Sequence, residues 1–248
     1  MFPIRDDNPT LRTPVVTVGL IALNAAVWVL IQGMGTSPAL PRSVCELGLI
    51  PGEFLHRLPP GTEVSLGPYT RCILGAGPVW LTPLSSMFLH GGWFHLIGNM
   101  WFLWVFGNNV EDSMGRFRYA AFYVLCGLAA AATQTFLSPD SPVPMVGASG
   151  AISGVMGAYV ILYPRVQVHM LVFIVIFVTR IVVPAYLMLG YWFLLQIIGA
   201  LPMLAPETGG GTAFWAHAGG FVAGMLLIWV FRNPSLIAVR TRAVRHHF

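Results

Sequence analysis

The chain is expected to be an all-α membrane protein, a six-transmembrane-helix bundle with a long membrane-associated first loop. Three observations predict this. Of the 248 residues, 56% are hydrophobic and only 9% charged, against about 25% charged in a soluble domain. The apolar residues gather into runs near the length of about 20 that crosses a bilayer. The thirteen basic residues, all arginine, stand at the ends of those runs. A net charge of +4 in that distribution orients a chain in a membrane and gives no reason to expect a nucleic-acid partner.

The polar segment 1–13 precedes helix 1, Pro14 to Ile31. That helix is long enough to span and lacks a small-residue cleavage site, so no cleavable signal peptide is expected. Met34 to Gly92 is rich in Pro and Gly but holds apolar pieces such as Val79-Trp80-Leu81, which suits a loop lying on or partly in the outer leaflet. Cys45 and Cys72 share this loop and can form a disulfide if it faces an oxidising compartment. Cys126 falls in an apolar run and reads as packing. Helix 2 is Trp93 to Phe106, helix 3 Phe117 to Phe136, helix 4 Ser149 to Tyr163, helix 5 Val182 to Leu201 and helix 6 Ala213 to Phe231. The β-branched stretch Val166 to Val178 has an uninterrupted apolar core too short to span. The membrane domain is then 14–232, followed by a basic tail, 233–248.

Arginine counting sets the orientation. Six spans put Arg5, Arg12, Arg116, Arg118, Arg165, Arg180, Arg232, Arg240, Arg242 and Arg245 on one side, and only Arg42, Arg57 and Arg71 on the other. The positive-inside rule makes the first side cytoplasmic, with both termini. A seventh span at 166–181 would carry the basic tail outside.

Helix 4 is short. Its fifteen residues reach about 22 Å, against about 30 Å of hydrocarbon. With Tyr163-Pro164-Arg165 at the cytoplasmic interface, Ser149 lies below the outer face. The preceding loop, Leu137 to Ala148, must dip inward, and irregular backbone at that depth needs protein or a water-filled cavity around it. Ser149 is expected on the floor of a cavity open to the outside.

A serine at a helix start is often only an N-cap. The same place also suits a nucleophile, because unpaired N–H groups and the helix dipole favour developing negative charge. His217 bears on the choice. Ionisable residues in spans are costly and are functional candidates, though a histidine bonded to a backbone carbonyl is the plainer reading. His217 lies near the outer end of helix 6, at the depth of Ser149. Gly150 and Gly154 on helix 4, and Gly220 and Gly224 on helix 6, have the small-xxx-small spacing of close helix contacts. His95 and Asn99 share one face of helix 2, as interhelical hydrogen-bonding groups or as donors to an oxyanion. His90, His95 and His217 make a poor metal set, since His90 and His95 do not share a face and no carboxylate lies within a span. The acidic residues fall in loops or near helix ends, with Asp140 and Glu207 alone in the outer loops near the site. A Ser149–His217 dyad is therefore simpler than a triad.

These features resemble the rhomboid intramembrane serine proteases. The likeness rests on His95-Leu-Ile-Gly-Asn99, Gly147-Ala-Ser149-Gly150 and Ala216-His217-Ala-Gly-Gly220-x-x-x-Gly224, in that order, and covers nearly the whole chain from helix 1 to helix 6. It implies a serine endopeptidase that cuts transmembrane helices of single-pass substrates in the lipid bilayer near their outer end. Ser149 would be the nucleophile and His217 the base. Asn99, His95 and the Ser149 backbone N–H would bind the oxyanion, and no cofactor or metal is implied. The oligomeric state is left open. The expected location is the plasma (inner) membrane of a prokaryote, as a multi-pass protein. Two residues depart from the family pattern. Trp80 is followed by Leu81 where relatives have arginine, and Ser153 stands where relatives carry an aromatic that packs on the imidazole. Substrate would arrive beside helix 5, under a cap formed by the loop Pro202 to Thr212, with Gly209-Gly210-Gly211 for freedom. The alternative functions are a rhomboid-like protein that binds transmembrane segments without cutting them, and a small transporter, which the lack of repeats or midplane charges disfavours.

Overall fold

The computed structural model describes residues 2–67, 70–75, 79–174, 177–201 and 213–245. Its apolar runs form helices. The first is α1 (Val15–Leu30), and after the long loop come α5 (Trp93–Met114), α6 (Arg116–Leu137), α7 (Ser149–Leu162), α8 (Ala185–Ala200) and α9 (Phe214–Phe231). By length and composition α6 and α9 can each cross a membrane, while α1, α7 and α8 are apolar but shorter. The loop contains α2 (Ala39–Leu47), α3 (Pro51–Phe54), the hairpin β2 (Glu63–Gly67) and β3 (Thr70–Ile73), and α4 (Thr82–Ser85). Cys45 and Cys72 are joined, and Ile50, Val64 and Leu74 form a small core beside the bond.

Three expectations are corrected. The chain is not wholly helical. The stretch after α7 folds as a hairpin, β4 (Gln167–Ile174) and β5 (Phe177–Pro184), and the polar N-terminal segment supplies β1 (Phe2–Asp6) to its edge, in the order β1-β4-β5. All pairings are antiparallel. A run this rich in Val and Ile suits strands as well as spans. The fifth long helix starts at Ala185 and not at Val182, because Pro184 caps it in extended backbone (φ −65°, ψ 145°). The second runs eight residues past Phe106. Gly107 and Asn108 look like a stop, but the added turns place Glu111 where its carboxylate accepts the Val16 and Thr17 N–H groups (3.0 and 2.8 Å) at the start of α1. A carboxylate there meets the unbonded N–H groups and the positive end of the dipole.

The added turns also anchor the tail. Helix α10 (Pro234–Arg245) returns to the bundle at the far end of α7 from Ser149. Buried Arg240 pairs with Asp112 at 2.8 Å and donates to Asn8 and the Pro9 carbonyl at 2.6 Å each. Its guanidinium lies 5.0 Å from the Tyr163 ring centroid. Nearby, burial pushes the Asp6 carboxyl up to about 6, against the lowering effect of its bond from Tyr159. Both termini are thereby fastened to one end of α5. Arg240→Ala is expected to cost about 3 kcal/mol, near the low end for breaking a buried pair, because Arg12 still neutralises Asp112 from 3.5 Å. Unfolding in detergent, followed by circular dichroism, reads this directly.

The main core lies where α5, α6, α7 and α9 meet, around Phe106, Tyr119, Phe122, Tyr123, Val155 and Tyr159. Helices α7 and α9 touch backbone to backbone. A β-carbon built on Gly220 would stand 2.1 Å from the Gly150 carbonyl oxygen, and one on Gly224 1.9 Å from that of Gly154. The small-residue spacing seen in the sequence is this seam.

Candidate active site

The seam brings Ser149 and His217 together. Ser149 Oγ and His217 Nε2 are 2.8 Å apart. Ser149 is the first residue of α7, with Ala148 as its N-cap, so its hydroxyl bonds the imidazole and does not serve as a helix cap. The other ring nitrogen of His217, Nδ1, lies 2.8 Å from Gln196 Oε1 on α8. Trp192, one turn earlier, places its ring centroid 5.9 Å from that of His217.

The loop before Ser149 is held by the long first loop. Leu49 and Met145 exchange backbone hydrogen bonds (3.0 and 2.7 Å), the Gly52 N–H donates to the Ser141 carbonyl at 3.0 Å, and the Gly147 N–H donates to the Ser86 carbonyl at 2.9 Å. Gly147 has φ +129°, a backbone that side chains disfavour. A β-carbon there would also lie 2.8 Å from His95 Nε2 and 3.4 Å from Ser149 Oγ. Gly147 is thus the bare floor between the imidazole of His95 and the hydroxyl of Ser149.

His95 faces this floor from α5, and Asn99 stands one turn later on the same side of that helix. His95 Nδ1 accepts the Gly91 N–H at 3.2 Å, which leaves Nε2 as the protonated nitrogen. Asn99 is 8% exposed and its Nδ2 amide group has no partner. An orphan donor of that kind is costly. Before α5, His90 is fully buried with both ring nitrogens unpartnered, 5.2 Å from the His95 ring. Burial, helped by the nearby His95, pushes its imidazole down to about 3, so no cation sits there at neutral pH. Gln32 clamps the His90 backbone, donating to its carbonyl and accepting its N–H at 2.8 Å each. Among the described residues, no three His, Cys, Asp or Glu side chains gather as a metal would need.

Of the other expected residues, Asp140 pairs with Arg57 at 3.1 Å on the surface. Trp80 is 74% exposed. Ser153 donates to the Ser149 carbonyl at 2.6 Å. Glu207 and the cap assigned to 202–212 lie outside the described residues. Sequence reasoning missed Gln196, Trp192 and Gln32. The signal for Gln196 was present, as the one amide side chain in an otherwise apolar helix.

Comparison with known proteins places the chain among related sequences. The chain is 29% identical to RHOMBOID-like protein 5 of Arabidopsis thaliana over 172 residues, 66% of this chain and 48% of that protein. It is 27% identical to the mitochondrial Rhomboid protein 1 of Saccharomyces cerevisiae over 59% of this chain and 40% of that one. It is 35% identical to Rhomboid protease AarA of Providencia stuartii over 38% of this chain and 37% of that one. The chain thus spans about half, or less, of the length of these curated relatives. They include chloroplast, mitochondrial and bacterial proteins, so they support an integral membrane protein and lend no support to a prokaryotic inner membrane in particular. The Rhomboid domain family matches residues 78–234, most of the chain and all of the stretch carrying Asn99, Ser149 and His217, and the chain belongs to the rhomboid family.

Proposed function

We propose that the chain is an intramembrane serine endopeptidase that cuts transmembrane segments of membrane proteins near their outer end. The observation that carries this reading is the 2.8 Å contact of Ser149 Oγ with His217 Nε2 at the first turn of α7. In this reading α1, α5, α6, α7, α8 and α9 are the six spans, residues 14–232 are the membrane domain, and both termini are cytoplasmic. A dyad performs the chemistry. Ser149 Oγ attacks the scissile carbonyl as its proton passes to His217 Nε2, and the tetrahedral oxyanion accepts hydrogen bonds from the Ser149 backbone N–H, Asn99 Nδ2 and His95 Nε2. The C–N bond breaks, His217 returns the proton to the leaving amine, and water then hydrolyses the acyl ester by the same route. The substrate must unwind locally, because a helix hides its carbonyls in hydrogen bonds, so segments rich in Gly or Ser near the cut are favoured.

A fluorophosphonate probe tests the reading. Wild type in detergent is expected to label at Ser149 and to cleave a model transmembrane substrate, and folded Ser149→Ala to do neither. Equal cleavage by both ends the proposal, and a folded but inert wild type favours a protein that binds transmembrane segments without cutting them. Asn99→Ala is expected to lower kcat by about 10²- to 10³-fold with little change in KM, as for loss of one oxyanion donor. Steady-state kinetics in micelles gives both constants.

A further inference from the structure

Gln196 has no part in the steps above, yet it is the most costly residue of its helix. Its neighbours Leu194, Leu195 and Ile198 are all more than two-fifths exposed on an apolar surface, while Gln196 is 8% exposed. A buried amide must find partners at both ends, and this one does. Its Nε2 donates to the Trp192 carbonyl at 3.3 Å, and its Oε1 faces His217 Nδ1 at 2.8 Å. The reversed amide would set an oxygen against the Trp192 carbonyl oxygen, so the network selects this orientation. A carbonyl oxygen only accepts. His217 Nδ1 therefore carries the proton, and Nε2 presents its lone pair to the Ser149 hydroxyl.

We infer that Gln196 is the positioning residue of the Ser149–His217 pair, holding the imidazole in the tautomer and ring plane that accept the serine proton. The inference rests on the endopeptidase reading. In a triad a carboxylate does this work. Here a neutral amide does it, with no charge to bury in the bundle. Trp192 limits the tilt of the ring from the same helix. The titratable groups facing His217 are Ser149 from α7 and His95 from α5. Helix α6 offers Gln134, which accepts the Ala216 N–H at 3.2 Å, and α8 offers Gln196 and Trp192. Among the described residues His217 has no ion-pair partner.

Three proteins decide the matter: the full chain in detergent, Gln196→Leu and Gln196→Glu. Gln196→Leu keeps the side-chain bulk and removes the acceptor. It is expected to lower kcat about 10- to 100-fold with KM within about twofold, the usual scale for losing a partner that orients a reacting group. Gln196→Glu is expected to restore most of kcat and to move the acid limb of the pH profile upward by about one unit, since a carboxylate favours the imidazolium. Wild-type kcat in Gln196→Leu, or an unmoved acid limb in Gln196→Glu, overturns the inference and leaves Gln196 as packing. Nitrogen NMR of labelled histidine reads the tautomer without any turnover. The His217 Nδ1–H form is expected in wild type, and the Nε2–H form there overturns the inference whatever the activity. An inert wild type that still shows the Nδ1–H form, lost in Gln196→Leu, sinks the endopeptidase reading and keeps the role of Gln196 in orienting the ring.

Discussion

Replacing His217 with alanine is expected to lower kcat by about 10⁴- to 10⁶-fold while KM for a transmembrane substrate changes little. Ser149 has one proton acceptor within hydrogen-bond reach among the described side chains, the His217 Nε2 atom at 2.8 Å. A serine hydroxyl without a base is a weak nucleophile. The leaving amine also loses its proton donor, so both halves of the reaction fail. The proposed oxyanion donors remain, because His95 and Asn99 belong to α5 and their placement does not pass through His217. A small residual rate above the uncatalysed reaction is therefore expected. Substrate binding should survive, since a transmembrane segment is held chiefly by apolar contact. The measurement is kcat and KM in micelles beside the rate of fluorophosphonate labelling. A loss in KM with kcat retained would show that His217 shapes the binding site and not the proton transfer.

The second large effect is structural. Gly224→Leu is expected to destabilise the fold by about 3 kcal/mol or more, at or above the usual cost of overpacking, and to abolish labelling at Ser149. A β-carbon on Gly224 would stand 1.9 Å from the Gly154 carbonyl oxygen and 2.6 Å from its Cα. The obstacle is backbone, which has no rotamer to change. Helices α7 and α9 must separate, and the 2.8 Å contact between Ser149 and His217 is made across that same seam. Gly190→Ala is the control. A β-carbon at Gly190 on α8 meets nothing within 4 Å, so its Tm and activity should match wild type. Thermal unfolding and probe labelling, run on both variants, separate a general loss of helix packing from a defect in this seam. A Gly224→Leu protein that is stable and labels at the wild-type rate would contradict the packing.

Much of this was legible in the sequence because membrane helices announce themselves by length and apolarity. The runs 14–31, 117–136 and 213–231 lie within a residue or two of α1, α6 and α9. Ser149 stood out because it heads a run too short to span, and His217 because an imidazole is rare in such runs; the glycines four residues apart gave a way to join them. The hairpin at 167–184 was not legible. Its residues are apolar on both faces, so the twofold period that normally marks a strand is absent. Its edge strand comes from residues 2–6, more than 160 positions away, which no local pattern reports. The extension of α5 escaped notice because what holds it is distant too, with Glu111 capping α1 and Asp112 meeting Arg240. The question of what holds His217 was visible as soon as Ser153 replaced an aromatic. The answer lay on another helix, in a side chain whose significance depends on the face it turns inward.

The glycine seam limits how the protein can be altered. Where two helices meet through side chains, an engineer can trade volumes across the contact and shift the helices by fractions of an ångström. Between Gly150 and Gly220, and between Gly154 and Gly224, there are no side chains to trade. The spacing of Ser149 and His217 is therefore closed to adjustment by substitution along that contact. Redesign toward other substrates has to work from the remaining walls, on α5, α8 and the loop that carries Gly147. Changes on those walls that spare His95, Asn99, Gly147, Trp192 and Gln196 leave the reacting pair where it is, so libraries confined to them should vary in selectivity far more than in intrinsic reactivity.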